Sequence, residues 1–184
     1  MKHIDSKILF DGRWLTVEEL TYINPQGKTI YWERVVRKNT GVGMVVLARL
    51  MPSRRFIFIK QYRAAINGYV LGLPAGLANG DPQDALKELK EETGYIGKIV
   101  EVSPILKAGS GIVNDSGMIV IVEVDENLPE NIHPVQELES AEEIEVVTVS
   151  RQEAKAFFQK AMADGIHVSS GLWYMFGMDH ILRD

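Results

Sequence analysis

Apolar and polar positions alternate with a period near two over much of this chain, a spacing that predicts strands. RWLTVEELTYI (13–23) and KTIYWERVVR (28–37) are rich in β-branched and aromatic residues, and the NPQG between them suits a tight turn, so they read as a β-hairpin. Its alternation is imperfect and two strands are marginal by themselves, so it is expected to pack on something else, such as a second subunit. GMVVLARL (43–50) and RFIFIKQYR (55–63) read as a second pair, broken at Met51-Pro52-Ser53. IVEVSPILK (99–107), MIVIVEV (118–124) and EIEVVTV (143–149) complete the strands. The uninterrupted apolar run at 118–122 predicts a strand covered on both faces, and hence helices on both sides of the sheet.

Three segments switch to a helical period. The first covers 82–93, with Asp81 as N-cap, Pro82 at the first helical position and Gly94 as the stop. RQEAKAFFQKAMADG (151–165) carries Ala154, Phe157, Phe158 and Ala161 at helical spacing and ends at Gly165. SSGLWYMFGMDHIL starts near Ser169 or Ser170 and presents Leu172, Met175, Phe176 and Ile181 or Leu182. The expected fold is α/β (α+β), a sandwich of helices around a mixed sheet.

Composition narrows the function classes. At 184 residues, 46% hydrophobic and 24% charged, the chain is long enough for one good core. A net charge of −5 sets up no field for a polyanion, so nucleic acid is not an expected partner, and an anionic substrate needs a cation to help it bind. The absence of cysteine excludes disulfides, thiolate metal sites and a cysteine nucleophile, and fits a reducing compartment. MKHIDSKILF lacks the apolar core of a signal peptide. The longest apolar runs, at 44–48 and 118–122, fall far below the ~20 residues a membrane helix needs, so a cytoplasmic protein with no membrane partner is expected. His3, His133, His167 and His180 are scattered and match no metal-ligand spacing.

The chemistry concentrates in LPAGLANGDPQDALKELKEETGY (73–95). On a helix starting near Pro82, Glu88, Glu91 and Glu92 stand at i, i+3 and i+4, with Cβ atoms about 5–6 Å apart on one face. Like charges so placed repel, and the repulsion grows with burial. A solvated acidic face neutralised by Lys87 and Lys90 is one reading. The other is a site for a hard cation, Mg²⁺ or Mn²⁺, which takes oxygen ligands and bridges to substrate phosphates.

LPAG followed by a glycine-containing loop and this helix resembles the Nudix hydrolase signature, G-x5-E-x7-R-E-U-x-E-E-x-G-U, where U is aliphatic or aromatic; KELKEETGY (87–95) matches its second half. The N-terminal hairpin, KQYR (60–63), LPAG and EEIEVV (142–147) extend the resemblance over roughly residues 7–150, toward the ADP-ribose and nucleoside diphosphate sugar pyrophosphatase branch. Two departures stand out. The spacing from Gly76 to Lys87 is three residues shorter than the signature's, so its first glutamate has no secure counterpart, Asn79 and Asp81 being the nearest residues. Lys87 replaces the arginine, which keeps the charge and loses the planar fork.

The resemblance implies a role for individual residues. By it, Glu88, Glu92 and Glu91, with the carbonyl of Ala75, hold Mg²⁺ (Mn²⁺ as an alternative), Glu88 and Glu92 serving catalysis. Arg37 and Arg63 grip phosphate oxygens. The base comes from a loop offering Glu137, Glu139, Glu142 and Glu143, with Glu142 favoured by alignment on the last strand. Residues 109–116 form a flexible rim with Asn114 as a polar contact. Trp14 and Trp32 stack on a nucleobase, one from each subunit of a homodimer, and Glu33 accepts from a base amino group; interface or core packing is the competing role for both tryptophans. Residues 1–40 are then a subdomain for dimerisation and base binding, and 41–184 a catalytic domain. The reaction implied by the same resemblance is Mg²⁺-dependent cleavage of a nucleoside diphosphate sugar, ADP-ribose first, to a nucleoside monophosphate and a sugar phosphate. GDP-mannose or dinucleotide hydrolysis and a non-catalytic nucleotide-sugar sensor are the alternatives.

Overall fold

The computed structural model describes residues 1–39 and 41–178, so His180, Ile181 and Leu182 lie outside the described residues. The N-terminal hairpin is two strands of a three-stranded antiparallel meander: β1 (Lys2–Asp11), β2 (Leu15–Ile23) and β3 (Thr29–Arg37). The turn forms as its residues dictate. Asn24 Oδ1 accepts from the backbone N–H of Gln26 and Lys28, and Gly27 takes φ 77°. β1 was not read as a strand because all of its residues are exposed, so no buried face imposed an alternation.

The second sheet begins with β4 (Val42–Met51), β5 (Phe56–Arg63), β6 (Gly68–Gly72) and β7 (Ala75–Ala78). After α1 (Asp84–Thr93) come β8 (Lys98–Val102), β9 (Leu106–Lys107) and β10 (Ser116–Asp125). A short α2 (Pro129–Ile132), β11 (Ile144–Val149), α3 (Arg151–Ala163), β12 (His167–Val168) and α4 (Ser170–Leu172) come next, α4 passing into a π-helical turn over Trp173–Gly177. The sheet is mixed, as expected: β4 runs parallel to β10 and β6 to β12, while the other pairings are antiparallel.

One expected pairing and one expected strand are corrected. β4 and β5 meet in register only at Arg49 and Phe56, then part. β7 takes the free side of β4, and β11 pairs with β5, so the two strands open as a V. The expected strand 99–107 is split into β8 and β9 around Ser103-Pro104-Ile105, where proline cannot donate to the ladder.

Alternation along the central strands feeds two cores. Met44, Val46, Ala48 and Leu50 of β4 and Val120 and Val122 of β10 pack under α1, against Ala85 and Leu89. On the other face Phe58 meets Phe158 of α3 and Phe176, with ring centroids 5.7 and 5.3 Å apart. Each ring so buried contributes about 1.5–3 kcal/mol. The result is the expected helix–sheet–helix sandwich. α3 starts on a capping box between Ser150 and Glu153.

The start of α1 is also corrected. Asp81 is not the N-cap: its Oδ1 accepts from Gln83 N (2.9 Å), while the carbonyls of Asp81 and Pro82 accept from Asp84 and Ala85 N–H at i→i+3 spacing. The shortened loop therefore enters through a tight lead-in turn, and the helix proper begins at Asp84. Gly94 closes it as expected, at φ 77° with its N–H on Lys90 O.

Candidate active site

α1 lies across the V, and Glu88 and Glu92 face its β7 side. Val46 N donates to Pro74 O (2.8 Å), so Val45 and Ala75 form a non-hydrogen-bonded pair, and both backbone polar groups of Ala75 point away from β4. The Ala75 N–H there donates to Glu92 Oε2 at 2.9 Å, and the Ala75 carbonyl turns to the same side. Next to it, Gly76 leaves room for Glu88. A Cβ at this position would lie 2.0 Å from the Glu88 carboxylate. The glycine of LPAG is thus a seat for a carboxylate, and its backbone at this strand needs no unusual φ.

Burial governs the electrostatics. Glu92 is 2% exposed. Its carboxyl is pushed up to about 7, chiefly by desolvation and then by the charges of Glu142 and Glu88, against the Ala75 hydrogen bond and Arg63. Glu88 is also raised, by desolvation first and then by Glu91, with Lys87 opposing and Glu142 and Glu139 adding to it. Glu91 faces outward and pairs with Lys87 at 3.5 Å. Among the described residues no three acidic or imidazole side chains close on one point tightly enough to hold an ion by themselves. The donor set still fits Mg²⁺. The buried Glu92 carboxylate, the half-buried Glu88 carboxylate and a turned-out carbonyl offer oxygen ligands, and this ion ordinarily completes its shell with water and phosphate oxygens.

The four loop glutamates sort themselves by their partners. Glu137 pairs with Lys90 at 2.7 Å, and Glu143 accepts from the Tyr69 hydroxyl. Glu139 is exposed, and its charge is the smallest of those that raise Glu88. Glu142 is half-buried, and its charge raises Glu88 and Glu92. Glu142, the residue favoured by alignment on the last strand, thus lies where its charge acts on both.

Arg63 ends β5 exposed, its guanidinium making no hydrogen bond or ion pair to another described residue, and its charge reaches Glu92. Two positions before it on the same face, Gln61 is buried, with its Oε1 lacking a partner among the described residues. That acceptor escaped the sequence reading, since a glutamine in a strand of mixed character carries no signal. Arg37 is held by Asp115 at 2.8 Å. Trp32 Nε1 donates to Gly111 O at 3.1 Å, and Val35 N donates to Ile112 O. The 109–116 segment, expected to be a flexible rim, is thus pinned to β3. Trp14 is 67% exposed under the Arg13 guanidinium, and Glu33 is exposed on β3.

A groove of about 480 Å³ runs between the N-terminal sheet and 107–114, lined by Trp32, Arg34 and Asn114 among others. A larger cavity of about 670 Å³ lies at the far end of the sheet, by Met51, Ile96 and Asp125. Ala75 pairs with Val45, six positions back along β4, so this larger cavity stands about 20 Å from the carboxylates and belongs to no part of their site.

Comparison with known proteins bears on this geometry. No family model matches the chain. It is 33% identical over 179 residues to a protein of Caenorhabditis elegans assigned to the nudix hydrolases, spanning 91% of this chain and 80% of that protein. It is 37% identical over 150 residues to the ADP-ribose pyrophosphatase of Saccharomyces cerevisiae, 76% of this chain and 65% of that protein. The ADP-sugar pyrophosphatase of Mus musculus is 32% identical over 164 residues, 83% of this chain and 75% of that protein. In fold, the chain matches a crystal structure of an ADP compounds hydrolase with a TM-score of 0.62 at 19% identity, over 83% of this chain and 82% of that one. Extending over most of both lengths, the sequence similarity makes this chain a member of the Nudix hydrolases.

Proposed function

We propose that this enzyme hydrolyses the diphosphate of ADP-ribose and related nucleoside diphosphate sugars, giving a nucleoside monophosphate and a sugar phosphate. The observation that carries the reading is the pair Glu88 and Glu92, two carboxylates packed with a third, Glu142, in view and none of them in an ion pair among the described residues. Such a site is unfavourable until positive charge enters it. The pyrophosphatase names of the yeast and mouse relatives point to the diphosphate as the group that arrives with that charge.

Glu88, Glu92 and the Ala75 carbonyl would hold Mg²⁺, with Glu91 joining through water. Bound there, Mg²⁺ supplies charge neutralisation and a more acidic water. Glu142 takes the proton from the attacking water, Arg63 orients phosphate oxygens, and Arg37 joins it by releasing Asp115. Trp14 and Trp32 offer faces for the base, and Glu33 an acceptor for a base amino group. Residues 1–40 form the base-binding and dimerisation unit: Ile4, Ile8, Phe10 and Tyr31 are exposed on its sheet, an apolar surface that suits a second copy. Among the described residues no helix is long and apolar enough to cross a membrane, and a cysteine-free chain suits the cytoplasm.

The test is product release from ADP-ribose, GDP-mannose and a dinucleotide with Mg²⁺, with a chelator, and with Glu142→Gln. ADP-ribose turnover lost in both controls is the expected result. A wild-type protein that binds ADP-ribose and cleaves none of the three would sink the enzyme and favour a sensor.

A further inference from the structure

The end of α1 is fastened in an unusual way. A helix leaves its last carbonyls without internal partners. Here Lys90 O accepts from Gly94 N (2.7 Å), Glu91 O from the Glu137 N–H (2.8 Å) and Glu92 O from Gln136 Nε2 (2.6 Å). The same Gln136 nitrogen also donates to Ile144 O, at 3.2 Å, the first residue of β11. One amide group therefore ties the helix that carries Glu88 and Glu92 to the strand that succeeds Glu142. Two carbonyl acceptors on one nitrogen use both of its N–H bonds.

The rest of the loop is built around that tie. A Cβ at Gly94 would lie 2.4 Å from Val135 N and 2.7 Å from the Pro134 carbonyl carbon, so the glycine lets the incoming chain cross the helix end closely enough for Gln136 to reach. Glu142 N donates to Glu139 O and Glu139 N donates to Glu142 Oε2, both at 3.0 Å, which aims the Glu142 carboxylate. Beyond it, Glu143 is held by the Tyr69 hydroxyl, and its carbonyl accepts from Tyr62 N. Residues 138–142 are left as a short span between two fixed ends.

We propose that Gln136 is a positioning residue for the reaction, setting the distance from the Glu142 carboxylate to Glu88 and Glu92 through its two hydrogen bonds. The inference rests on the reading of Glu142 as the base. Gln136→Met keeps the length and removes both donors. It is expected to lower kcat on ADP-ribose about 10- to 100-fold, as displacement of a reacting group by an ångström does, with KM within about twofold. Added to Glu142→Gln, the same change is expected to cost little more, because its effect passes through Glu142. A Gln136→Met loss that multiplies with the Glu142→Gln loss, one confined to KM, or no loss overturns the proposal. Amide hydrogen exchange over 137–142 gives a readout independent of turnover. Faster exchange in Gln136→Met supports the tie and unchanged exchange overturns it, even if the wild-type protein cleaves nothing and the assigned reaction fails.

Discussion

The two ends of the site are made in opposite ways. Around α1 the groups are buried and seated by backbone: Glu92 is 2% exposed, hydrogen-bonded to Ala75 and flanked by glycines that admit a carboxylate and a crossing chain. On the N-terminal sheet Trp14 and Trp32 are 67% and 56% exposed, and the sheet keeps much apolar surface in water. The first region is already packed, and its cost is chiefly desolvation of its carboxylates, with like-charge repulsion added. The second leaves its rings in water, as the base-binding and dimerisation roles proposed for it would require. The proposed reacting centre and the proposed recognition surface thus rest on different local physics within one chain.

The largest expected effect tests how finished the first region is. Gly94→Ala sets a Cβ against the backbone of Val135 at a positive φ, where neither partner can yield. It should cost about 3 kcal/mol or more, read as a lower midpoint in urea. Gly76→Ala makes a sharp contrast. The three atoms nearest its Cβ all belong to the end of the Glu88 side chain, so the fold should keep its midpoint while the carboxylate is displaced. About a hundredfold loss of activity and a weaker Mn²⁺ affinity are expected; a variant active as wild type would show that Glu88 is no ligand.

Next comes pH. The Glu92 carboxyl, raised to about 7 from 4.5, favours the folded state while it is protonated and loses that contribution as pH climbs through the folded value. With chelator present, stability attributable to Glu92 should fall by on the order of 2 kcal/mol between about pH 4.5 and 7. Glu92→Gln should flatten that part of the melting-temperature profile and raise the melting temperature above wild type at pH 8. The smallest effects belong to the recognition surface. Trp14→Ala should raise KM about tenfold through lost base stacking, with the melting temperature unchanged because the ring is exposed. If Ile8→Lys leaves the sedimentation coefficient and the KM unchanged, this surface is not the dimer contact.

The contrast also explains what the sequence disclosed. Helix α1 and its glutamates were legible because i, i+3, i+4 spacing is local, and the central strands because their buried faces impose alternation. β1 has no buried face and left no pattern. β6, β7 and β12 are short; β7 and β12 pair with strands remote in the chain, and β6 is five residues hung on β5 and β12. The same holds for the site. Gly76 and Gly94 were visible as motif letters, while their purposes depend on Glu88 and Val135, which only folding brings to them. Gln136 and Gln61 gave no signal at all, since a single glutamine takes its meaning from the carbonyls or vacancies around it.

The parting of β4 and β5 has a mechanical consequence. The carboxylate pair leans on β7 and so on the β4 arm, whereas Arg63 and the strand after Glu142 belong to the β5 arm. A diphosphate held between them would act as a crossbeam bracing an open frame. Its bond to each arm would then be felt at the joint where Arg49 meets Phe56, far from any contact with the ligand.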